Sequence, residues 1–109
     1  MTRLEQLQNL LAAQPDDAFL LFAIAKEHEG AANFEAALAH YSRLRETTPQ
    51  YVGLYYHLGK LFEKLERPDD ALETYRTGMS IAKAERDNHS YSELAAAKMD
   101  LTDEDDDEY

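Results

Sequence analysis

Apolar residues recur at helical spacing along almost the whole chain. The sets Leu4, Leu7, Leu10 and Leu11, then Leu21, Ile24, Ala25 and His28, then Phe34, Ala37, Leu38, Tyr41 and Leu44 each fall on one face of a helix. No stretch sustains the period-two alternation of a half-buried strand, so an all-α chain is predicted. Pro15-Asp16-Asp17 and Pro49-Gln50-Tyr51 read as stops followed by new starts, because proline cannot continue a helix and aspartate can cap the next one. Gly30 to Asn33 and Arg67 to Asp69 read as tighter turns, with Asn33 or Asp69 helping to start the helix that follows and Pro68 fixing the chain direction. These signals predict six helices, over residues 3–14, 17–30, 34–47, 51–66, 69–86 and 89–100. The connections are short, so successive helices should run antiparallel.

The pattern also repeats. Laid on itself at an offset of 34, the sequence places Pro15 on Pro49, Ile24-Ala25 on Leu58-Gly59, Lys26 on Lys60, Glu29 on Glu63, Ala37-Leu38 on Ala71-Leu72 and Tyr41 on Tyr75. Small residues fall on small ones and aromatics on aromatics, so the match is one of packing roles. Two full repeats are expected, about 18–51 and 52–85. The first segment has the spacing of a second helix whose partner is missing and acts as a cap; Tyr91, Leu94, Ala95 and Lys98 read as a first helix displaced by two positions from the interval. Atypical end repeats are normal because their outer faces meet water.

This arrangement resembles the tetratricopeptide repeat, over residues 18 to about 83. A small residue stands where the two helices of a pair cross, Ala25 and Gly59; another opens the contact face of the second helix, Ala37 and Ala71; an aromatic follows four positions on, Tyr41 and Tyr75; and Pro49 ends the repeat. The departures are Leu21 and Tyr55, where the family often has tryptophan, His28, where an aromatic is usual, and Lys83 in place of a second terminal proline, which predicts that the fifth helix runs on. The resemblance implies a right-handed α-solenoid of antiparallel helix pairs: one helical domain over residues 1–101, two repeats with a capping helix at each end. It also implies a peptide-binding concave face lined by the first helix of each pair, here Phe19, Phe22, Lys26 and Glu29, then Tyr56, Lys60, Glu63 and Lys64. Stacking of the repeats is expected to set Phe22 beside Tyr56 and Lys26 beside Lys60, and an aromatic pair adjoining a cationic pair suits an extended segment that carries an apolar side chain and a carboxylate. Against this stands a plain packing role for Phe19 and Phe22 and a solvated one for the lysines. Phe22 and Lys26 occupy the places where a chaperone-tail receptor of the family needs lysine and asparagine, so that clamp is not expected.

Charge changes the picture only at one end. The formal net charge of −11 includes seven acidic residues from Asp100 to Glu108; the 22 acidic residues less these seven leave 15, against 11 basic ones, a net of −4 for the rest. Residues 102–109 are expected to be a disordered acidic tail, with solubility as its simplest role and a fold-back over Lys26, Lys60 and Lys64 as a sharper one. A mildly acidic body without clustered Lys and Arg gives no reason to expect nucleic acid or an anionic membrane as partner. The longest apolar run, Ala18 to Ala25, is too short to span a bilayer, and the first residues lack the apolar core of a secretory signal. With no cysteine in the chain, a reduced cytoplasm is the expected compartment.

Catalytic chemistry finds little footing. The histidines His28, His40, His57 and His89 form no two-histidine metal motif along the sequence; His28-Glu29-Gly30 begins one and fails it. There is no glycine-rich phosphate loop or nucleophile elbow, and solvent-facing Glu63 and Glu66 define no acid–base pair. No catalytic residue, metal or cofactor is expected, and His28 is expected to be packed and hydrogen-bonded. The leading expectation is a non-enzymatic adaptor for a protein or peptide segment, as a monomer or weak homodimer. The alternative is a structural protein whose exposed apolar edges pair copies of the chain; a strictly monomeric mass at high concentration would dismiss it.

Overall fold

The structure is a computed structural model and describes residues 1–102; residues 103–109, most of the acidic tail, lie outside the described residues. Six helices follow in order: α1 Arg3–Ala13, α2 Ala18–Gly30, α3 Phe34–Thr47, α4 Gly53–Lys64, α5 Pro68–Ala84 and α6 Asn88–Leu101. No strand occurs among the described residues. The chain divides into two compact units, Met1–Leu54 and the part from Tyr55 onward.

Three helix starts are built from side chains. The Thr2 hydroxyl accepts from Glu5 N at 3.1 Å while the Glu5 carboxylate accepts from Thr2 N at 2.8 Å, a reciprocal capping box. Asp17 accepts from Leu20 N at 2.9 Å, as the Pro-Asp-Asp signal predicts. Asp87 accepts from Ser90 N at 3.0 Å and from the Ser90 hydroxyl at 2.7 Å, and these bonds hold its carboxyl below the usual aspartate range.

The other starts correct an expectation. Asn33 occupies the N-cap of α3 but makes no side-chain capping bond. Helix α5 begins at Pro68, one residue earlier than expected, so Asp69 lies inside the first turn and not at the cap; it acts there only as a negative charge near the helix N-terminus. Backbone bonds organise these turns instead. Ala32, Glu66 and Arg86 adopt left-handed φ values of 59°, 59° and 60°. The next residue then donates five positions back: Asn33 N to His28 O at 2.8 Å, Arg67 N to Phe62 O at 2.9 Å and Asp87 N to Ala82 O at 2.8 Å. This is the Schellman closure of a helix C-terminus, here without the glycine that usually supplies the positive φ.

One repeat interval separates the first two of these turns, and the third comes much sooner, at Arg86. Helix α6 is therefore joined to α5 by the turn used inside a repeat, not by the proline-marked loop that links one repeat to the next. The absence of proline at Lys83 lets α5 run on, as expected, to Ala84 over 17 residues, against 14 for α3.

In the first unit, Leu7 of α1 packs with Leu20, Ala23 and Ile24 of α2, and Leu4 and Leu11 close over them. Leu10, on the outer side of this end helix, is 53% exposed. The α2 and α3 faces meet through Ala25, Ala37, Tyr41 and Leu44, all fully buried. Arg3 pairs with Glu27 at 3.4 Å and Arg43 with Asp16 at 2.5 Å, exposed pairs that orient the helix ends more than they stabilise them. In the second unit Leu58, Leu61, Ala71, Tyr75 and Ala82 are buried with Leu94 and Ala97 of α6. Close approach there depends on glycine: a Cβ on Gly59 would strike the Tyr75 ring, and one on Gly78 would lie 2.5 Å from Tyr55 Cβ. No helix among the described residues is long and apolar enough to cross a membrane.

Candidate functional site

The side chains expected to meet a ligand lie on α2 and α4. On α2, Phe22 is half-buried, with its ring 5.4 Å from that of Tyr51 and 6.2 Å from that of Tyr41. The exposed Lys26, one turn on, holds its Nζ 5.9 Å from the centre of the Phe22 ring, a cation–π contact worth about 0.5–1 kcal/mol at an exposed site. Phe19, a turn earlier, is 59% exposed. On α4 the half-buried Tyr56 carries Lys60 Nζ 5.7 Å from its ring centre and meets the His57 ring edge-on at 5.5 Å. Lys64 is exposed in the last turn of the helix. Each repeat thus builds the same pair, an aromatic with the ammonium four positions later laid over it.

The two glutamates are placed otherwise. Glu29 accepts a hydrogen bond from the Tyr41 hydroxyl at 2.8 Å, and Glu63 accepts one from the Tyr75 hydroxyl. Lys60 Nζ is also 3.8 Å from Glu63. Both carboxylates are therefore committed to the buried tyrosine of their own hairpin, so their first role is to lock α3 onto α2 and α5 onto α4. In the sequence Glu29 and Tyr41 stand as separate features; the recurrence of both one interval later, as Glu63 and Tyr75, was the signal that they form one unit. Tyr51, just before α4, also faces Phe22 and escaped the sequence reading, because only a contact across the chain reveals it.

Burial raises the phenol pKa of Tyr41 and Tyr75 far above the ordinary value of 10, and the hydrogen bond to a glutamate and its negative charge raise it further. Their folded pKa exceeds the unfolded one, so their contribution to stability is whole below about pH 10 and is lost as pH rises beyond it. In an absorbance titration, these two of the seven tyrosines are expected to ionise only as the helices melt. The Tyr41→Phe, Tyr75→Phe variant should lose less helicity between pH 10 and 12 relative to its value at pH 8. Ionisation of all seven near pH 10 with the helical signal intact would contradict the burial described.

His28 is buried at the end of α2, as expected for a packed residue, and its ring lies 5.4 Å from that of His40 on α3. Burial, then the nearby His40, lowers its pKa and keeps the ring neutral. Among the described residues no group of three or more His, Cys, Asp or Glu is arranged to hold a metal ion.

Antiparallel hairpins repeated at a fixed interval, with glycine or alanine at each helix crossing, define a helical-repeat protein. Comparison with solved structures gives the family. A crystal structure of a tetratricopeptide repeat domain protein from Salinibacter ruber is 47% identical, over 78% of this chain and 94% of that one, with a TM-score of 0.75. A solution NMR structure of a tetratricopeptide repeat domain protein from Salinibacter ruber is 43% identical, over 87% and 96%, with a TM-score of 0.78. The chain belongs to the tetratricopeptide repeat family. PcrH, solved in complex with the chaperone binding region of PopD, has the same fold at a TM-score of 0.83 and 16% identity, over 90% of this chain and 74% of that one. No protein-family model matches the sequence, and no curated protein matches it.

Proposed function

We propose that the chain is a protein-interaction module that takes a peptide or protein segment on the first helices of its repeats, through Phe19, Phe22 and Lys26 of α2 and Tyr56, Lys60 and Lys64 of α4. The observation that carries this is the twofold occurrence of one partly exposed device: an aromatic ring with a lysine ammonium over it, Phe22 with Lys26 and Tyr56 with Lys60. An aromatic face takes an apolar side chain and the ammonium takes a carboxylate, so one repeat can engage one apolar residue with an acidic neighbour. Glu29 and Glu63 belong to the same helix faces, and their role in this reading is to hold the helices that present the aromatics. PcrH, which has the same fold, was solved in complex with the chaperone binding region of PopD, and this supports the reading.

Aromatic anchors of this kind lose about 2 kcal/mol or more on truncation, close to a thirtyfold loss of affinity. A pull-down from source-cell lysate with the Phe22→Ala, Tyr56→Ala chain should therefore recover far less of any specific partner than the wild type does. Phe22 also packs on Tyr41 and Tyr51, so a Lys26→Ala, Lys60→Ala chain run alongside separates lost recognition from lost packing. Equal recovery by all three chains, each with wild-type helicity, would dismiss the proposal.

A further inference from the structure

The two repeats are alike in packing but not in one chemical detail. The positions of His28 and His40 correspond, one interval on, to Phe62 and Thr74. In the second unit these two residues do the packing work unaided: Phe62 is buried, and the fully buried Thr74 donates its hydroxyl to the carbonyl four positions back, Asp70 O, at 2.7 Å. His40 reproduces that last bond, with Nδ1 2.8 Å from Ala36 O. Packing and backbone bonding at this pair of sites therefore do not require histidine, and the first repeat carries three ring nitrogens beyond what they need, both of His28 and Nε2 of His40.

Those nitrogens are prepared for a ligand role. A carbonyl oxygen can only accept, so Nδ1 of His40 carries the proton and its Nε2 presents a lone pair, the tautomer that a backbone carbonyl selects in metal-binding histidines. His28 faces it across the α2–α3 hairpin, with ring centres 5.4 Å apart and planes 37° apart. The separation is within chelating reach once a nitrogen of each ring turns toward a common point: adding roughly 1 Å from ring nitrogen to ring centre to a metal–nitrogen bond of about 2.0–2.1 Å, two imidazoles on one tetrahedral ion have centres about 5 Å apart.

We propose that His28 and His40 together bind one divalent transition-metal ion of the zinc and copper class, cross-linking α2 to α3 in the first repeat. Neutral imidazole suits these ions and not magnesium or calcium. With only two protein ligands, water or a group from a partner completes the coordination, so the site is weak and exchangeable.

The test is a zinc titration of the full-length chain followed at the histidine ring protons, a readout that ignores binding by the acidic residues near the C-terminus. Saturable shifts are expected at His28 and His40 together, with the same midpoint, and magnesium should leave them unmoved. His28→Phe and His40→Thr install the residues of the second repeat and should fold; each should weaken the zinc response at the remaining ring at least tenfold. His40→Gln serves in the same way should either of these lose its helical signal. No shift at millimolar zinc, shifts of equal midpoint at His57 and His89, or a response that survives in these variants would overturn the proposal.

Discussion

Alanine at position 78 is expected to destabilise the second unit by about 3 kcal/mol, the upper end of what one added methyl costs in a well-packed core. Its Cβ would stand 2.5 Å from Tyr55 Cβ, 3.0 Å from Tyr55 Cγ and 3.0 Å from Leu94 Cδ1. The first of these decides the outcome: Tyr55 Cβ is fixed to its backbone, so no rotamer of Tyr55 relieves the collision and the helices themselves must separate. The sign is diagnostic, because the same change inside an uncrowded helix stabilises by up to about 1 kcal/mol. Gly30, the last residue of α2, has nothing within 4 Å of the position its Cβ would take and provides the control. In thermal melts Gly78→Ala should lower Tm by about 10 °C or more while Gly30→Ala leaves it unchanged or higher. An unchanged Tm for Gly78→Ala would mean that α4 and α6 do not approach α5 as closely as described.

Such crossings explain how much of the fold was legible. Helical period and turn residues fix where helices start and stop, and the interval of 34 states which positions share a role; small residues at 25, 37, 59 and 71 then mark where backbones meet. All four are buried, in keeping with that reading. What stayed hidden depends on partners across the hairpin, which a periodic pattern does not name. Glu29 and Glu63 fell on the face assigned to ligand, yet the tyrosines twelve positions later draw them back into the scaffold. His28 and His40 were separate histidines in sequence and became neighbours only when α3 folded onto α2. The turn that joins α6 to α5 stayed hidden for a related reason. A turn closed by left-handed Arg86 carries no glycine to announce it, and the missing proline near Lys83 signals only that α5 continues. The four residues Phe22, Lys26, Tyr56 and Lys60 were legible as members of one helix face, but the reading set aromatic beside aromatic and lysine beside lysine across the repeats; the contact of each ammonium with the ring four positions before it is visible only in the structure.

The second large effect concerns Gly59, where the obstacle differs in kind. A Cβ there would collide with Tyr75 Cε1 and approach Cδ1 and Cζ to 2.7 Å, atoms of a ring that could swing aside if it were free. It is not free: Tyr75 is fully buried and its hydroxyl is bound to Glu63. Gly59→Ala must therefore expel the ring from its bond or push α4 from α5, and is expected to cost about 3 kcal/mol. Tyr75→Leu removes the same ring and leaves a void in front of Gly59, at a cost of about 2–4 kcal/mol. Combined, the two changes relieve each other, since the new methyl enters space the ring has vacated. In urea titrations the double variant should retain about 1–3 kcal/mol more stability than the sum of the single losses allows. Strict additivity would show that Gly59 is kept small for something other than Tyr75, and would leave the joint recurrence of an aromatic and a small residue at this crossing without a packing cause.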